Sequence, residues 1–221
     1  MKLYHGTSES KFAKIRTTGL RPRSKKAGNW DKFPSRSDMV YLTTAYAVYF
    51  GIQASEDERI AVIEVDTDWL PPSNFYPDED FIAQVVASRR GVGIDEVHQE
   101  IREDLEIYQQ NWELSIENLG NCCYKGLIPP DAMTRVAFFD IKKRPTIAMM
   151  AMDPMISIMN YRLCSKKYIG LISWIFGDSQ FLVDDFSGFD DKSEMMKKRR
   201  EYWERQSQDR EGIEVCKLPI P

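Results

Sequence analysis

Apolar residues at regular spacing, bounded by polar residues and glycines, predict the first elements of this chain. A short apolar run at the start predicts a strand, and a helix follows it with Phe12 and Ile15 on its buried face. Thr7 or Ser8 can cap the start of that helix, because a hydroxyl oxygen accepts a hydrogen bond from a free backbone N–H. Gly19 is placed where a helix would end.

The same analysis predicts further strands and helices along the chain. Segments rich in β-branched or aromatic residues predict strands at Val40–Thr43, Arg59–Asp66, Cys122–Lys125 and Arg135–Ile141. Helical spacing predicts a helix after Val40–Thr43 and helices at Asp78–Arg90, Asp95–Gln110 and Asn111–Leu119, the last stopped by Gly120. The strands fall into two groups with a helical block between them, which favours an α+β fold.

The character of the chain changes after Pro145, so we predict a first domain over residues 1–145 and a helical C-terminal extension over residues 146–221 that packs on it. The extension contains five methionines between Met149 and Met159, an apolar helix at Tyr168–Phe176 and a charged helix at Lys192–Gln208. The methionines suit either an adaptable contact surface or core packing.

Composition limits the class of protein. The 221 residues are 43% hydrophobic and 12% aromatic, as in a packed globular protein. No apolar run is long enough for a membrane span or a secretory signal, so a cytoplasmic protein without membrane contact is expected. Four cysteines without a Cys-x-x-Cys spacing, and two histidines, predict reduced thiols and no metal site.

Charge is unevenly distributed although the net charge is only −4. The segment from Lys11 to Arg36 holds nine basic residues and a single acid, Asp31, and it also carries Trp30 and Phe33. Basic residues between aromatic ones hold single-stranded nucleic acid through phosphate contacts and base stacking. A solvated loop with a few anchoring aromatic residues is the alternative.

Two short motifs near the start of the chain indicate chemistry. The first is His5-Gly6-Thr7, at the end of the first predicted strand, where sites are commonly built. The second is a Val-Tyr-Leu-Thr strand containing Tyr41, followed by a helix with Tyr49. Taken separately, His5 also suits a buried structural histidine and the tyrosines suit a core. Together the motifs resemble the His–Tyr–Glu branch of the ADP-ribosyltransferase superfamily, which includes poly-ADP-ribose polymerases, RNA 2′-phosphotransferases and DarT-like domains.

The resemblance implies a split β-sheet with helical insertions and a site for NAD as co-substrate. His5 would bind the nicotinamide-side ribose, and the backbone of Gly6 would hold the carboxamide. Tyr41 and Tyr49, with Tyr46 as second choice, would enclose the nicotinamide ring, since a cationic ring gains from aromatic stacking. The NAD-binding set implied in this way is His5, Gly6, Thr7, Tyr41, Thr43 and Tyr49.

The third motif element departs from the resemblance. The superfamily carries a catalytic glutamate shortly before an Ile-Pro-Pro sequence, which this chain has at Pro129. Counting back as in DarT-like domains gives Asn121, and counting as in arginine-modifying enzymes gives Lys125. Neither is acidic, although Glu117 lies one helical turn earlier. Asn121 can bond a ribose hydroxyl but brings no charge, so it would stabilise a cationic transition state less.

Two other polar clusters are candidates for the missing role. Arg36 immediately precedes the Tyr41 strand, and an arginine there resembles the phosphate-binding arginines of 2′-phosphotransferases. The segment Tyr76–Phe81 contains three consecutive acids. The alternative for these acids is a helix start, because the helix dipole favours negative charge there. The catalytic set implied by the resemblance is Tyr41, Asn121 and Arg36.

These residues predict NAD-dependent ADP-ribosyl transfer to a nucleic acid, RNA or DNA, by an enzyme acting as an intracellular toxin or phage-defence effector. An antitoxin or regulatory protein would then be a further partner. The alternatives are a 2′-phosphotransferase-like enzyme, a protein ADP-ribosyltransferase and a non-catalytic module that binds NAD or another nucleotide.

Overall fold

The computed structural model describes residues 1–22, 35–55, 59–143, 161–179 and 208–219, with a few separate positions elsewhere. The strands are β1 (Lys2–Ser8), β2 (Met39–Thr43), β3 (Arg59–Asp66), β4 (Phe75–Pro77), β5 (Asn121–Lys125), β6 (Met133–Asp140) and β7 (Ile213–Lys217). The α-helices are α1 (Glu9–Thr18), α2 (Ala47–Ala54), α3 (Glu79–Arg90), α4 (Ile94–Glu103), α5 (Trp112–Leu119) and α6 (Tyr161–Phe176). Short 3₁₀ helices occur at Thr67–Trp69, Pro72–Asn74, Leu105–Asn111 and Pro130–Ala132.

The strands form one antiparallel sheet of seven strands in the order β4-β5-β2-β1-β3-β6-β7. This architecture confirms the predicted α+β class. The two middle strands hardly pair: β1 and β2 meet at a single register position, Tyr4 opposite Thr43. On its other side β1 pairs with β3 at all seven of its positions. The sheet is therefore held together weakly between β1 and β2, as the expected split requires.

Strand β1 and helix α1 form as the local sequence predicts. Ser8 caps α1, since its hydroxyl oxygen accepts a hydrogen bond from the Lys11 N–H at 3.4 Å. Phe12 is the buried residue of the helix. Gly19 ends α1 with a φ of 76°, a left-handed value that a residue with a side chain rarely adopts.

Strand alternation directs side chains to different cores on the two faces of the sheet. One face carries a continuous core under α1, in which Leu3, Leu42 and Ile63 lie together. The other face carries two separate cores. The first packs α2 and α6 on β3 and β6. The second packs α3 and α4 on β2 and β5, around Met39 and Cys123. The boundary between these two cores falls where β1 and β2 part.

Three elements differ from the sequence predictions. The helix predicted at Asp95–Gln110 ends at Glu103 and continues as a 3₁₀ helix, so helical spacing alone did not distinguish the two. The strand Phe75–Pro77 was not predicted, because three residues are too few for an alternating pattern. The strand Ile213–Lys217 was not predicted either, although it pairs with β6 over five positions and extends the main sheet.

Within the described part of the C-terminal third, α6 covers the predicted apolar helix and begins seven residues earlier. Leu171, Ile172 and Ile175 of this helix belong to the core with α2. Separate described positions of the predicted charged helix, such as Glu194 and Lys198, are helical and exposed. The methionine-rich stretch lies outside the described residues. No helix among the described residues combines the length and apolarity needed to cross a membrane.

Candidate active site at the junction of β1 and β2

His5 bridges the gap between the two poorly paired strands. Its Nδ1 lies 2.9 Å from the backbone carbonyl oxygen of Tyr41. Backbone pairing between β1 and β2 stops at Tyr4 and Thr43. Beyond that position, the His5 side chain links the two strands in place of a backbone hydrogen bond. His5 stays partly exposed. The structure thus brings the His5 imidazole to the Tyr41 backbone, whereas strand register places the two side chains on opposite faces of the sheet.

Gly6 is needed because α2 lies directly on the backbone of β1. A Cβ atom built on Gly6 would lie 1.7 Å from the carbonyl oxygen of Ala47 and 2.5 Å from the backbone nitrogen of Gly51. Gly51 faces Gly6 in turn, since a Cβ atom built on Gly51 would lie 3.5 Å from the Gly6 Cα. The close backbone approach at Gly6 is therefore made by helix α2, and the contact with a carboxamide stays a prediction.

The hydroxyl of Tyr41 is held between a backbone donor and a buried acid. The Arg36 N–H donates a hydrogen bond to the hydroxyl oxygen at 2.8 Å. The hydroxyl in turn donates to Oε1 of Glu79 at 2.5 Å. Glu79 is the first residue of α3 and is only 3% exposed. Both contacts fix the direction of the Tyr41 side chain from the hydroxyl end.

Asn121 lies beside a second buried acid on the same face of the sheet. It pairs with Thr43 in register, which places the two side chains on the face that carries Tyr41. Its side chain hydrogen bonds to Asp78, the N-cap of α3. Ser115 links the same residues, accepting from the Asp78 N–H at 3.0 Å and donating to the Asn121 carbonyl oxygen at 2.8 Å. Asn121 thus lies on the face of the sheet that carries Tyr41, and its role toward NAD stays a prediction.

Burial controls the acidity of this cluster. It raises the pKa of Asp78 well above its ordinary value, and the neighbouring acids Asp80 and Glu79 raise it further. It also raises the pKa of Glu79, against the opposing effect of the Tyr41 hydrogen bond. The pKa of Tyr41 is raised well above its ordinary value by burial and then by the Glu79 charge. Two buried acceptors, Oε2 of Glu79 and Oδ1 of Asn121, have no hydrogen-bond partner among the described residues.

Arg36 is fully engaged by protein acceptors. Its five N–H groups donate to the carboxylates of Asp38 and Glu106 and to the carbonyl oxygen of Arg102, at 2.9 to 3.1 Å. The guanidinium lowers the pKa of Glu106 to about 2. Since a guanidinium has five N–H donors, none remains for a phosphate oxygen. In this structure Arg36 anchors the start of β2 and supplies its backbone N–H to Tyr41.

The remaining predicted site residues lie close by in different environments. Thr43 is buried, and its hydroxyl donates to the Gly120 carbonyl oxygen at 2.8 Å and accepts from the N–H groups of Ala45 and Tyr46. Thr7 is 4% exposed. Tyr49 is partly exposed on α2 and packs edge-on against Phe50, with ring centroids 5.5 Å apart. Tyr49 therefore keeps a surface that a ligand can reach, whereas the hydroxyl of Thr43 holds the start of α2.

Glu79 is the residue that the sequence interpretation did not assign. The three acids of Tyr76–Phe81 were recognised as a cluster, with a helix start as their alternative role. The helix start is confirmed, since Asp78 caps α3 through the Asp80 N–H at 2.9 Å, and Glu79 of the same cluster reaches Tyr41. The cluster signal was therefore useful, but the sequence contained no indication of which acid turns inward.

The raised pKa of Asp78 predicts a pH-dependent stability. A carboxyl group with a higher pKa in the folded than in the unfolded state stabilises the fold below its unfolded value, and this stabilisation is lost as the pH rises through the folded value. Between pH 5 and pH 8 the unfolding free energy of the wild type should decrease. In Asp78→Asn, which keeps the helix cap, we expect that decrease to be smaller by about 1 kcal/mol or more. Urea unfolding at both pH values measures this. The surface substitution Asp131→Asn should leave the pH dependence unchanged, and an equal decrease in Asp78→Asn would contradict the prediction.

Residues 23–34 of the basic segment between Lys11 and Arg36 lie outside the described residues. Of its nine basic residues the structure describes Lys11, Lys14, Arg16, Arg21 and Arg36. Arg21 is exposed where the described part of the segment stops. Among the described residues no group of three His, Cys, Asp or Glu side chains is arranged to hold a metal ion.

Comparison with known proteins gives only distant similarities. No protein family and no curated protein matches the sequence. Among solved structures, the chain aligns with EcPltA at a TM-score of 0.36 and 14% identity, over 64% of this chain and 78% of that one. It aligns with the nicked CARDS toxin at a TM-score of 0.35 and 14% identity, over 63% of this chain and 25% of the toxin. Full-length CARDS toxin gives a TM-score of 0.33, also at 14% identity, over 63% and 24%. The chain thus spans about a quarter of the CARDS toxin, and similarities this low support no statement about its activity.

Proposed function

We propose that this protein is an NAD-dependent ADP-ribosyltransferase with its site at the junction of β1 and β2. The observation that carries the proposal is the contact of His5 with the Tyr41 carbonyl, at 2.9 Å, where the sheet divides. This contact joins the two sequence motifs that resemble the superfamily, although they are 36 residues apart in the chain.

The chemistry of the side chains is suited to such a substrate. In ADP-ribosyl transfer the bond between ribose and nicotinamide breaks, the nicotinamide leaves with its electrons, and the ribose carbon bonds to the acceptor, which gives up a proton. His5 and Asn121 offer hydrogen-bonding groups for ribose hydroxyls, and Tyr41 and Tyr49 offer aromatic surface for the ring. The unpartnered Oδ1 of Asn121 can accept from a hydroxyl group. Since Asn121 carries no charge, it stabilises a cationic transition state less than a glutamate would.

We propose a nucleic acid, RNA or DNA, as the acceptor, and an intracellular toxin or defence role with an antitoxin or regulatory protein as partner. The support for this acceptor is the basic, aromatic-containing segment that leads into β2 and ends at Arg36. A cytoplasmic location accords with this role. A protein acceptor is the alternative, and the acidic net charge of −4 favours it.

One labelling experiment tests the proposal. Purified protein is incubated with NAD labelled in its adenylate part, together with RNA, DNA and cellular protein, and the three pools are then separated. We expect label in a nucleic-acid pool, and none when His5→Ala is used. Label in the protein pool alone would transfer the proposal to a protein acceptor.

A non-catalytic NAD-binding module is the second candidate, and the observation that favours it is the neutral Asn121 at the position of the motif glutamate. It predicts measurable NAD binding and no label in any pool. The 2′-phosphotransferase alternative depended on Arg36, whose N–H groups are all bonded within the protein.

The basic segment provides a further prediction about the acceptor. Replacing Arg21, Arg23, Lys25 and Lys26 by alanine should weaken nucleic-acid binding and make its dependence on salt shallower, by about one unit in the logarithmic slope for each phosphate that the variant no longer neutralises. NAD affinity should change little, because the proposed NAD contacts lie on β1, β2 and α2. Nucleic-acid affinity over a salt series measures the effect. An unchanged slope and affinity would leave the segment as a solvated connector.

A further inference from the structure

Glu79 places a carboxyl group at the hydroxyl end of the Tyr41 side chain. One of its oxygens accepts the Tyr41 hydroxyl at 2.5 Å, and the other is buried without a hydrogen-bond partner among the described residues. The Tyr41 hydroxyl has a single hydrogen, which it donates to the first oxygen, so it cannot also satisfy the second. A buried acceptor without a donor is costly, and such atoms in a folded protein call for a function.

The groups around Glu79 are mostly acidic, and burial opposes their ionisation. The groups that face it are Tyr41 from β2, Asp78 and Asp80 from the start of α3, His98 from α4 and Cys123 from β5. Of these, only His98 can carry a positive charge, and it hydrogen bonds to Asp80 at 2.8 Å. Arg36 is paired with Asp38 and Glu106. Within the described residues, ionised Glu79 would therefore have few positive groups to balance it, and a cationic ligand would supply one.

We propose that Glu79 makes the site selective for a positively charged ring, so that the protein distinguishes oxidised from reduced nicotinamide. This inference rests on the proposed function and adds a specificity-determining residue to it. The oxidised ring carries a positive charge and the reduced ring carries none. A carboxylate at the hydroxyl end of Tyr41 attracts a charged ring stacked on that side chain, whereas a neutral ring gains only the stacking.

Coulomb's law gives the expected size of the preference for NAD⁺ over NADH. A ring stacked on Tyr41 would lie about 7 Å from the carboxylate, where a unit charge at an effective dielectric constant of about 20 changes an affinity by roughly 50-fold. Because burial raises the pKa of Glu79 and so opposes its ionisation, we expect less than this limit, about a tenfold contribution to the preference for NAD⁺ over NADH.

The test is calorimetry with NAD⁺ and NADH on the wild-type protein, Glu79→Gln and Glu100→Gln. The glutamine keeps the acceptor for the Tyr41 hydroxyl and removes the charge. We expect the ratio of the two affinities to fall about tenfold in Glu79→Gln. Glu100 is an exposed glutamate of α4 paired with Arg90, so its variant controls for a general change in charge and should keep the wild-type ratio.

A pH series provides a second measurement that a purely structural role would not change. Since binding of a cation favours ionised Glu79, NAD⁺ affinity should rise with pH relative to NADH in the wild type, and the ratio should be independent of pH in Glu79→Gln. If Glu79→Gln fails to fold, the wild-type pH series decides alone. An unchanged ratio in Glu79→Gln, or a wild-type ratio independent of pH, would overturn this inference while leaving NAD binding in place. Absence of binding by both nucleotides would overturn the proposed function itself.

Discussion

Replacing His5 or Tyr41 by alanine should weaken NAD binding by at least about tenfold while the protein stays folded. His5→Ala removes the imidazole that bonds the Tyr41 carbonyl, so both the proposed ribose contact and the bridge between β1 and β2 disappear. Loss of one hydrogen bond of about 1.4 kcal/mol corresponds to a tenfold change in affinity. Tyr41→Ala removes the stacking surface and leaves the buried Glu79 without its donor. Calorimetry with NAD gives the affinities.

The matched control for Tyr41→Ala is Tyr124→Ala. Tyr124 is 3% exposed on the neighbouring strand β5, in the core on the opposite face of the sheet. This substitution thus removes a buried tyrosine of the same sheet without touching the proposed site. Tyr124→Ala should destabilise the protein and keep NAD affinity. Wild-type affinity in both folded site variants would refute the assignment of this junction as the NAD site.

Gly6→Ala should be the most destabilising single methyl addition to the described part of the chain. The added Cβ would lie 1.7 Å from the Ala47 carbonyl oxygen, which is backbone and cannot rotate away. Helix α2 must then move off β1 or the strand must bend, and overpacking of this kind costs about 3 kcal/mol. For a chain of this length that corresponds to a fall in melting temperature of roughly 6 to 12 °C. Thermal unfolding followed by circular dichroism measures it.

Gly93→Ala is the control for this substitution. Gly93 caps α4 with a φ of −71°, and a Cβ there would meet only the Glu96 carboxylate oxygen, at 3.4 Å. An alanine is accommodated at that position without strain, so the melting temperature should change by a few degrees at most. Similar melting temperatures for Gly6→Ala and the wild type would show that α2 does not lie on β1 as described.

Much of the site region followed from local sequence signals. Helix α1 is capped by Ser8 and followed by Gly19, and both a hydroxyl cap and a helix-ending glycine can be recognised in the sequence. These features depend on residues within a few positions of each other, and periodicity describes such relations well.

The partners of these residues across the sheet were not readable in the same way. Tyr41 bonds Glu79, and Arg36 bonds Glu106, over separations of 38 and 70 residues. The strand Ile213–Lys217 pairs with β6 at the far end of the chain. Only one of the three consecutive acids Asp78, Glu79 and Asp80 bonds Tyr41. This choice depends on where β4 ends beside β5 and on the direction in which α3 continues from β4. A sequence pattern predicts whether a residue is buried. The side chain that it contacts depends on strand order and register, and these result from packing of the whole chain.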